Sequence, residues 1–450
     1  MSSANQFESK KTLPLFFSMV IPPMLSMFIQ SLYNIVDSMF VSALGENAIA
    51  AVSIVFPLQN ITLALSVGIG VGTSSYVARC LGAKQEEKAS SACVISLALS
   101  ILNYIFIIIA AFFALRPFVE SFTSSPEVIE YSIQYGAVVL FLCIGQQVQI
   151  VIEKIFQSYG KMMVPMYQLI LGCVINIVLD PIMIYGLFGC PKMGVMGAAI
   201  ATVIGQWAAC LFGIALLLSP NSDIKLRFYR DSCHPVEIAK EIYSVAVPSI
   251  LVIALPSVLV SCLNGILSHI SQMSVSMFGI YYKLQSFVFM PTSGLVQGIR
   301  PIVGYNYAAK NLRKEKEIIK ISLVTVAIIM AIGTAVLWGA PQWVMSLFHA
   351  DSDMLSMGIE LFCIVSIGFI PSTFSFITCA EFEAIGKANV SLVITLFRQL
   401  IILLPCAYIL SLSLGTTGVW LAFPIAEVIM SVVCAIMLKA EFKKRVQPSL

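Results

Sequence analysis

The chain repeats itself: what stands near residue n returns about 226 positions later. Pro22 returns as Pro248, Gln59 as Gln285, Gly68 as Gly294 and Gly72 as Gly298. Ala83-Lys84 returns as Ala309-Lys310 and Gly160-Lys161 as Gly386-Lys387. Beyond that the offset slips to 224, pairing Gly194-Val195 with Gly418-Val419. Identities among apolar residues arise by chance and carry no weight. Pro, Gly and Lys bend helices and mark loops, and their falling in register does carry weight. Such a chain folds into two like lobes, with a binding site expected where the lobes meet.

Each lobe belongs in a membrane. Hydrophobic residues make up 59% of the chain and charged residues 11%, against about 25% charged in a soluble domain. Twelve stretches are long enough to span a bilayer: 14–40, 48–78, 91–115, 127–152, 163–187, 194–218, 242–267, 275–303, 321–347, 354–380, 389–412 and 417–438. None alternates polar and apolar residues as a barrel strand would, so the fold class is all-α. The N-terminus lacks a signal peptide's short apolar stretch and small-residue cleavage site, so helix 1 is expected to be retained.

Orientation follows from the positive charges. All but four of the 26 Lys and Arg fall at, or within a turn of, the N-terminus, the even-to-odd loops and the C-terminus. Arg116 and Lys192 lie in the opposite loops; Lys283 and Arg398 lie inside spans. Both termini are therefore expected in the cytoplasm, with the chain multi-pass in the plasma membrane. Six spans per lobe make the repeat parallel, about an axis along the membrane normal. The expected divisions are an N-lobe over 1–218, a polar linker over 219–240 and a C-lobe with a short basic tail over 241–450. Nearly all cysteines lie in spans, and His234, His269 and His349 are scattered, so no disulfide framework or metal site is expected. The net charge of +3 is the inside bias and points to no nucleic acid.

The chemistry must lie in charges placed where charge is expensive, at least ~2.5–3.5 kcal/mol near the bilayer centre. Asp37 in helix 1 follows Tyr33 by four residues and Asn34 by three, so the three share a face. Asp180 in helix 5 follows Asn176 by four residues, and Pro181 cannot bond the carbonyl of Ile177. Gathered oxygens suit a hard cation such as Na+, and desolvated carboxylates suit H+ equally well. The repeat places Leu263 opposite Asp37, and Cys406 or Leu404 opposite Asp180, so the acidic pair belongs to one lobe. The alternative is that each Asp caps or bonds a neighbouring helix.

The second lobe carries Lys283, Arg398 and Glu427 within its spans. An ion pair between Arg398 on helix 11 and Glu427 on helix 12 is the simplest account, because unpaired charge is not tolerated in lipid. The alternative turns them to the central cavity, where Lys283 is a further candidate. Glu153, Glu381 and Glu383 lie near helix ends, where interfacial solvation is expected. Gln59 and Gln285 are either interhelical hydrogen bonders or matched polar contacts for a substrate. The glycine clusters at 68–72 and 294–298 lie in apolar helices and read as close packing or bending sites.

These residues resemble the multidrug and toxic compound extrusion (MATE) transporters over the whole chain. Ser31-Leu32-Tyr33-Asn34-Ile35-Val36-Asp37 through Leu44-Gly45 is similar to the family's helix 1 signature. Arg79 with Leu81-Gly82-Ala83, and Pro301 through Lys310, are similar to its helix 2 and helix 8 ends. Gly386-Lys387, Arg398 and Pro424-Ile425-Ala426-Glu427 resemble the MepA-like bacterial branch. The resemblance implies twelve helices in two six-helix bundles around a central cavity, and multidrug antiport of small, cationic organic compounds against H+ or Na+. It implies that Asp37, Asn176, Asp180 and Thr202 carry the coupling ion, with no other cofactor, in a monomer. The acidic residues that the NorM-like branch carries within helices 7 and 10 have no match here: helix 7 has none, and Glu381 and Glu383 lie at a helix end.

Two other functions compete. A lipid-linked saccharide flippase of the same superfamily needs a cationic cavity, for which only Lys283 and Arg398 are candidates. An intramembrane enzyme needs a nucleophile and base within the spans, and no His lies mid-membrane. The last expectation is mechanical. Pro22 deprives the carbonyl of Ser18 of its helical donor, ~22 Å below Asp37, so ion binding at Asp37 is expected to bend helix 1 there and weaken drug binding.

Overall fold

The computed structural model describes residues 7–446 except 9, 221, 231–233 and 347–351, so His349 and part of the linker lie outside the described residues. The described residues are helical, with no strand among them. In lipid a helix satisfies its own backbone, which is why apolar sequence of this length takes no other form. The first lobe comprises α1 (Thr12–Ser42), α2 (Glu46–Gly82), α3 (Glu86–Phe122), α4, α5 (Met163–Tyr185) and α6 (Val195–Leu217). α4 is two pieces, Pro126–Phe141 and Ile144–Ser158, bent by 43°. The second lobe comprises α7 (Pro235–Ser268), α8 (Gln272–Ala308), α9 (Leu312–Gly339), α10 (Ser352–Val365 continued by Phe369–Ala384), α11 and α12. α11 and α12 run through 388–446 and are parted at Gly415, whose φ is 59°. α7 begins at Pro235, inside the stretch read as linker.

α8 is long enough to span but carries Lys283, Gln285, Gln297, Arg300 and Asn306. Its polar character fits its place: it packs on α1 and α2 of the other lobe instead of lying wholly in lipid.

The register of the repeat has a structural cause. Lys84 and Lys310 both take positive φ (59° and 57°) just after α2 and α8, and Gly160 and Gly386 do the same (77° and 85°) after α4 and α10. Each matched pair is therefore the turn that ends a helix. The pairing of Gly194 with Gly418 is corrected. Gly194 opens α6 with φ 54° and ψ −129°, and Gly415 opens α12 with φ 59° and ψ −133°. Gly197 and Gly418 then meet the carbonyls of Met183 and Leu410 on the preceding helices. The first lobe has the longer connection here, with an extra 3-10 turn at Leu187–Gly189, and the register shifts accordingly.

The lobes meet through α2 against α7 and α1 against α8. Their close backbone approaches lie toward the end of the bundle that carries the termini, and the contact of the Ser31 hydroxyl with the sulfur of Met290 carries the seam to about mid-helix. A methyl on Gly298 would stand 2.5 Å from the carbonyl oxygen of Met19, and one on Gly294 2.6 Å from the Cα of Met24. Only glycine admits backbone so close. Gly72 meets the carbonyl of Ile242 in the same way. Polar bonds reinforce this seam: Ser75 donates to the carbonyl of Glu383 (2.7 Å), Lys154 to Gln297 (2.8 Å), and Arg79 pairs with Glu241 at 3.5 Å. Toward the other end, Gly265 on α7 and Gly279 on α8 have nothing within 4 Å of an added methyl. The lobes are closed at the terminal end and part toward the opposite one.

Candidate functional site

α5 and α6 lie against each other and hold the centre of the site. Asp180 is fully buried and Asn176 nearly so. With its amide nitrogen toward Asp180, Asn176 donates to Oδ2 at 2.9 Å, and its oxygen accepts from the Thr202 backbone N–H at 2.9 Å and hydroxyl at 3.2 Å. The hydroxyl of Thr202 is also 3.0 Å from the carbonyl of Ala198. Pro181 lies inside α5, so the carbonyl of Ile177 has no helical donor there. From α1, Asp37 is an electrostatic neighbour of Asp180. Tyr33 stands among Asp37, Thr202, Tyr135 and Asp180. From α2, Gln59 donates to the hydroxyl of Tyr135 at 3.3 Å.

The first lobe thus gathers two carboxylates, two amides, a threonine and two phenols from α1, α2, α4, α5 and α6. Asn176 is spent on Asp180 and Thr202. Oxygens to hold a hard cation would come from Asp37, Asp180 and Tyr33. Either carboxylate also accepts a proton. Asn34 is exposed on α1 and stands apart from this cluster. Tyr135 was not among the candidates: a tyrosine in a span is an ordinary residue, and its partner Gln59 is 76 positions away.

The matching place in the second lobe differs. Gln285 is half-buried, but the position that repeats Tyr135 holds Leu361, fully buried, so the glutamine has lost its phenol. Lys283 is exposed. Arg398 and Glu427 are 3.4 Å apart, each side chain 15% exposed, and the guanidinium lies 5.5 Å from the ring centre of Phe376. Pro22 is buried in the seam, and Ser26 donates to its carbonyl at 2.9 Å.

Interfacial solvation fails for Glu381 and Glu383, while Glu153 stays partly exposed. Glu383 is 3% exposed and pairs with Arg300 at 2.5 Å; Glu381 is fully buried and pairs with Arg445 at 3.3 Å. Glu153 pairs with the buried Lys154 at 3.0 Å. Neighbouring helices cover these ends, and a covered carboxylate must find a cation.

Comparison with known proteins follows the same two halves. The MatE family model matches residues 22–182 and again 248–409, once in each lobe. Over 412 residues the chain is 24% identical to the multidrug export protein MepA of Staphylococcus saprophyticus, covering 91% of this chain and 89% of the relative. It is 25% identical over 429 residues to the MepA of Staphylococcus haemolyticus, covering 94% and 92%. A structure described as the outward-facing conformation of a multidrug resistance MATE family transporter of the MOP superfamily superposes with a TM-score of 0.92 at 28% identity, covering 98% of both chains. A MOP superfamily transporter from Pyrococcus furiosus, whose reversed pocket polarity is said to suggest a different function, matches with a TM-score of 0.91 at 28% identity and the same coverage. Two family matches that between them cover most of the chain, one on each lobe of a parallel helical repeat, lead to one conclusion: the chain belongs to the MatE family.

Proposed function

We propose that this protein is a secondary multidrug antiporter that exports small cationic or amphipathic organic compounds in exchange for H+ or Na+. MatE members are transporters, so the intramembrane enzyme is set aside. The observation that carries the reading is the acidic cluster of Asp37 and Asp180 with Asn176 and Thr202, in which Asp180 and Asn176 are buried and Asp37 and Thr202 half-buried, present in one lobe and without a counterpart in the other. Two carboxylates in low dielectric cannot both stay charged and empty; a cation or proton neutralises them, and a cationic drug competes for the same charge. The reading puts both termini in the cytoplasm, so the gap opposite them faces outward, and it takes the chain as a monomer in the plasma membrane.

The flippase reading loses support because Arg398 is engaged with Glu427, which leaves Lys283 alone of its two cationic candidates. Efflux of ethidium from proteoliposomes under imposed H+ or Na+ gradients tests the proposal. Gradient-dependent export supports it; ethidium movement indifferent to both gradients would sink it.

A further inference from the structure

Both lobes place a polar pair across their fifth and sixth helices. In the first lobe it is Asn176 and Asp180 with Thr202. In the second it is Arg398 and Glu427, on α11 and α12. The turn equivalence of Gly194 with Gly415 puts Phe423 at the place of Thr202, with Glu427 one helical turn nearer the terminal end.

The pair is poorly satisfied. A guanidinium and carboxylate of good geometry meet through two parallel bonds, whereas here there is one contact, at 3.4 Å. The second carboxylate oxygen of Glu427, Oε2, is buried with no hydrogen-bond partner. The hydroxyl of Tyr281, on α8, is also buried without a partner, and Tyr281 is fully enclosed and an electrostatic neighbour of Glu427. Arg398 sits in a π-helical stretch, Phe397–Leu403, a local distortion that interrupts the regular ladder and recurs at functional sites. A merely structural ion pair would favour full hydrogen bonding, since a half-satisfied buried pair costs more than apolar packing.

We propose that Glu427 is a second proton-binding residue, and that Arg398 is the charge its protonation unmasks. The proton adds to Oε2, the carboxylate oxygen left without a partner. The carboxylate loses its negative charge. Arg398 keeps its own and stays over the ring of Phe376, which tolerates a cation. The site passes from neutral to singly positive, and an organic cation bound between the lobes is disfavoured. The charged and titratable groups facing Glu427 are Arg398 from α11, Tyr281 from α8 and Cys434 from α12 itself, with Cys379 of α10 against Arg398. Glu360 of α10 reaches α12 only at Thr417, well away along the helix.

The effect on substrate rests on the antiport reading above; the binding of the proton does not. The test therefore has two arms, both on full-length protein with Asp37→Asn and Asp180→Asn to silence the first lobe. Infrared titration in lipid vesicles should show a protonated-carboxyl band that grows as pH falls from about 8 to about 5 and is absent once Glu427→Gln is added. No such band, or one that survives Glu427→Gln, overturns the proposal. If Glu427→Gln does not reach the membrane, Arg398→Gln replaces it. Loss of the guanidinium must then bring the band in at higher pH, and an unmoved band overturns the assignment. In the second arm, ethidium affinity should fall about tenfold across the same range. That is the size expected of one charge about 10 Å away at an effective dielectric constant of about 20. A titrating band without that fall would keep the proton site and remove its link to substrate.

Discussion

At the scale of single residues, Asp37 and Asp180 are expected to hold the coupling ion. Replacing either with Asn keeps the side chain's size and removes the charge. Gradient-driven ethidium export should fall to background while the protein inserts and folds, as judged by surface labelling and size-exclusion behaviour; wild-type export by either variant would break the assignment. Tyr135→Phe takes away the acceptor that Gln59 uses and should lower stability by about 1 kcal/mol in thermal unfolding. For the second lobe, neutralising Arg398 leaves the Glu427 carboxylate buried without its cation and should destabilise by about 3–5 kcal/mol, Glu427→Gln should cost less because Arg398 keeps the ring of Phe376, and exchanging the two charges should recover part of the larger loss. The acidic residues were legible in the sequence because charge in lipid is costly enough to need a reason. Their surroundings were less so. Tyr135 gave no signal, and Glu381 and Glu383 were misread because nearness to a helix end says nothing of what covers that end. It took Arg300 of α8 and Arg445 at the far end of α12 to show it.

At the scale of elements, α1 is continuous from Thr12 to Ser42 through two adjacent prolines, Pro22 and Pro23. Pro22 removes the donor for Ser18, and Pro23, unremarked in the sequence, removes the donor for Met19. The carbonyl of Met19 faces Gly298 across the seam. The soft point of α1 therefore sits where it touches the other lobe. Binding of a fluorescent cation should weaken as H+ or Na+ rises in the wild type, and this dependence should shrink in Pro22→Ala. Affinity indifferent to both ions in the wild type would rule the coupling out. Span number, the break between α11 and α12 and the helix-ending turns were all readable from apolar length and matched glycines. The bend within α4 and the π-helical stretch of α11 were not, since they arise from packing and leave no proline at the bend.

At the scale of the whole molecule, the lobes touch at the terminal end and separate at the other, an arrangement that must reverse if drug is to enter from the side of the termini. Joining the lobes at the seam should therefore stop turnover. With the native cysteines replaced, Arg79→Cys and Glu241→Cys bridged by a short bifunctional thiol reagent should lose export, and cleaving the bridge should restore it; export with the bridge intact would show that the seam need not open. The glycines of that seam also divide the molecule in how freely it can drift over generations. Where backbone rests on backbone, at Gly294 and Gly298 against Met19 to Met24, nearly every replacement is excluded by volume alone. The same helices toward the parted end are under no such restraint. New drug spectra can then arise by substitution in one half of α1, α2, α7 and α8 while the other half stays fixed. Saturation mutagenesis scored by growth on toxic cations should divide each of these four helices near its middle into a tolerant and an intolerant half, with the site residues Tyr33, Asp37 and Gln59 standing out as intolerant within the tolerant halves.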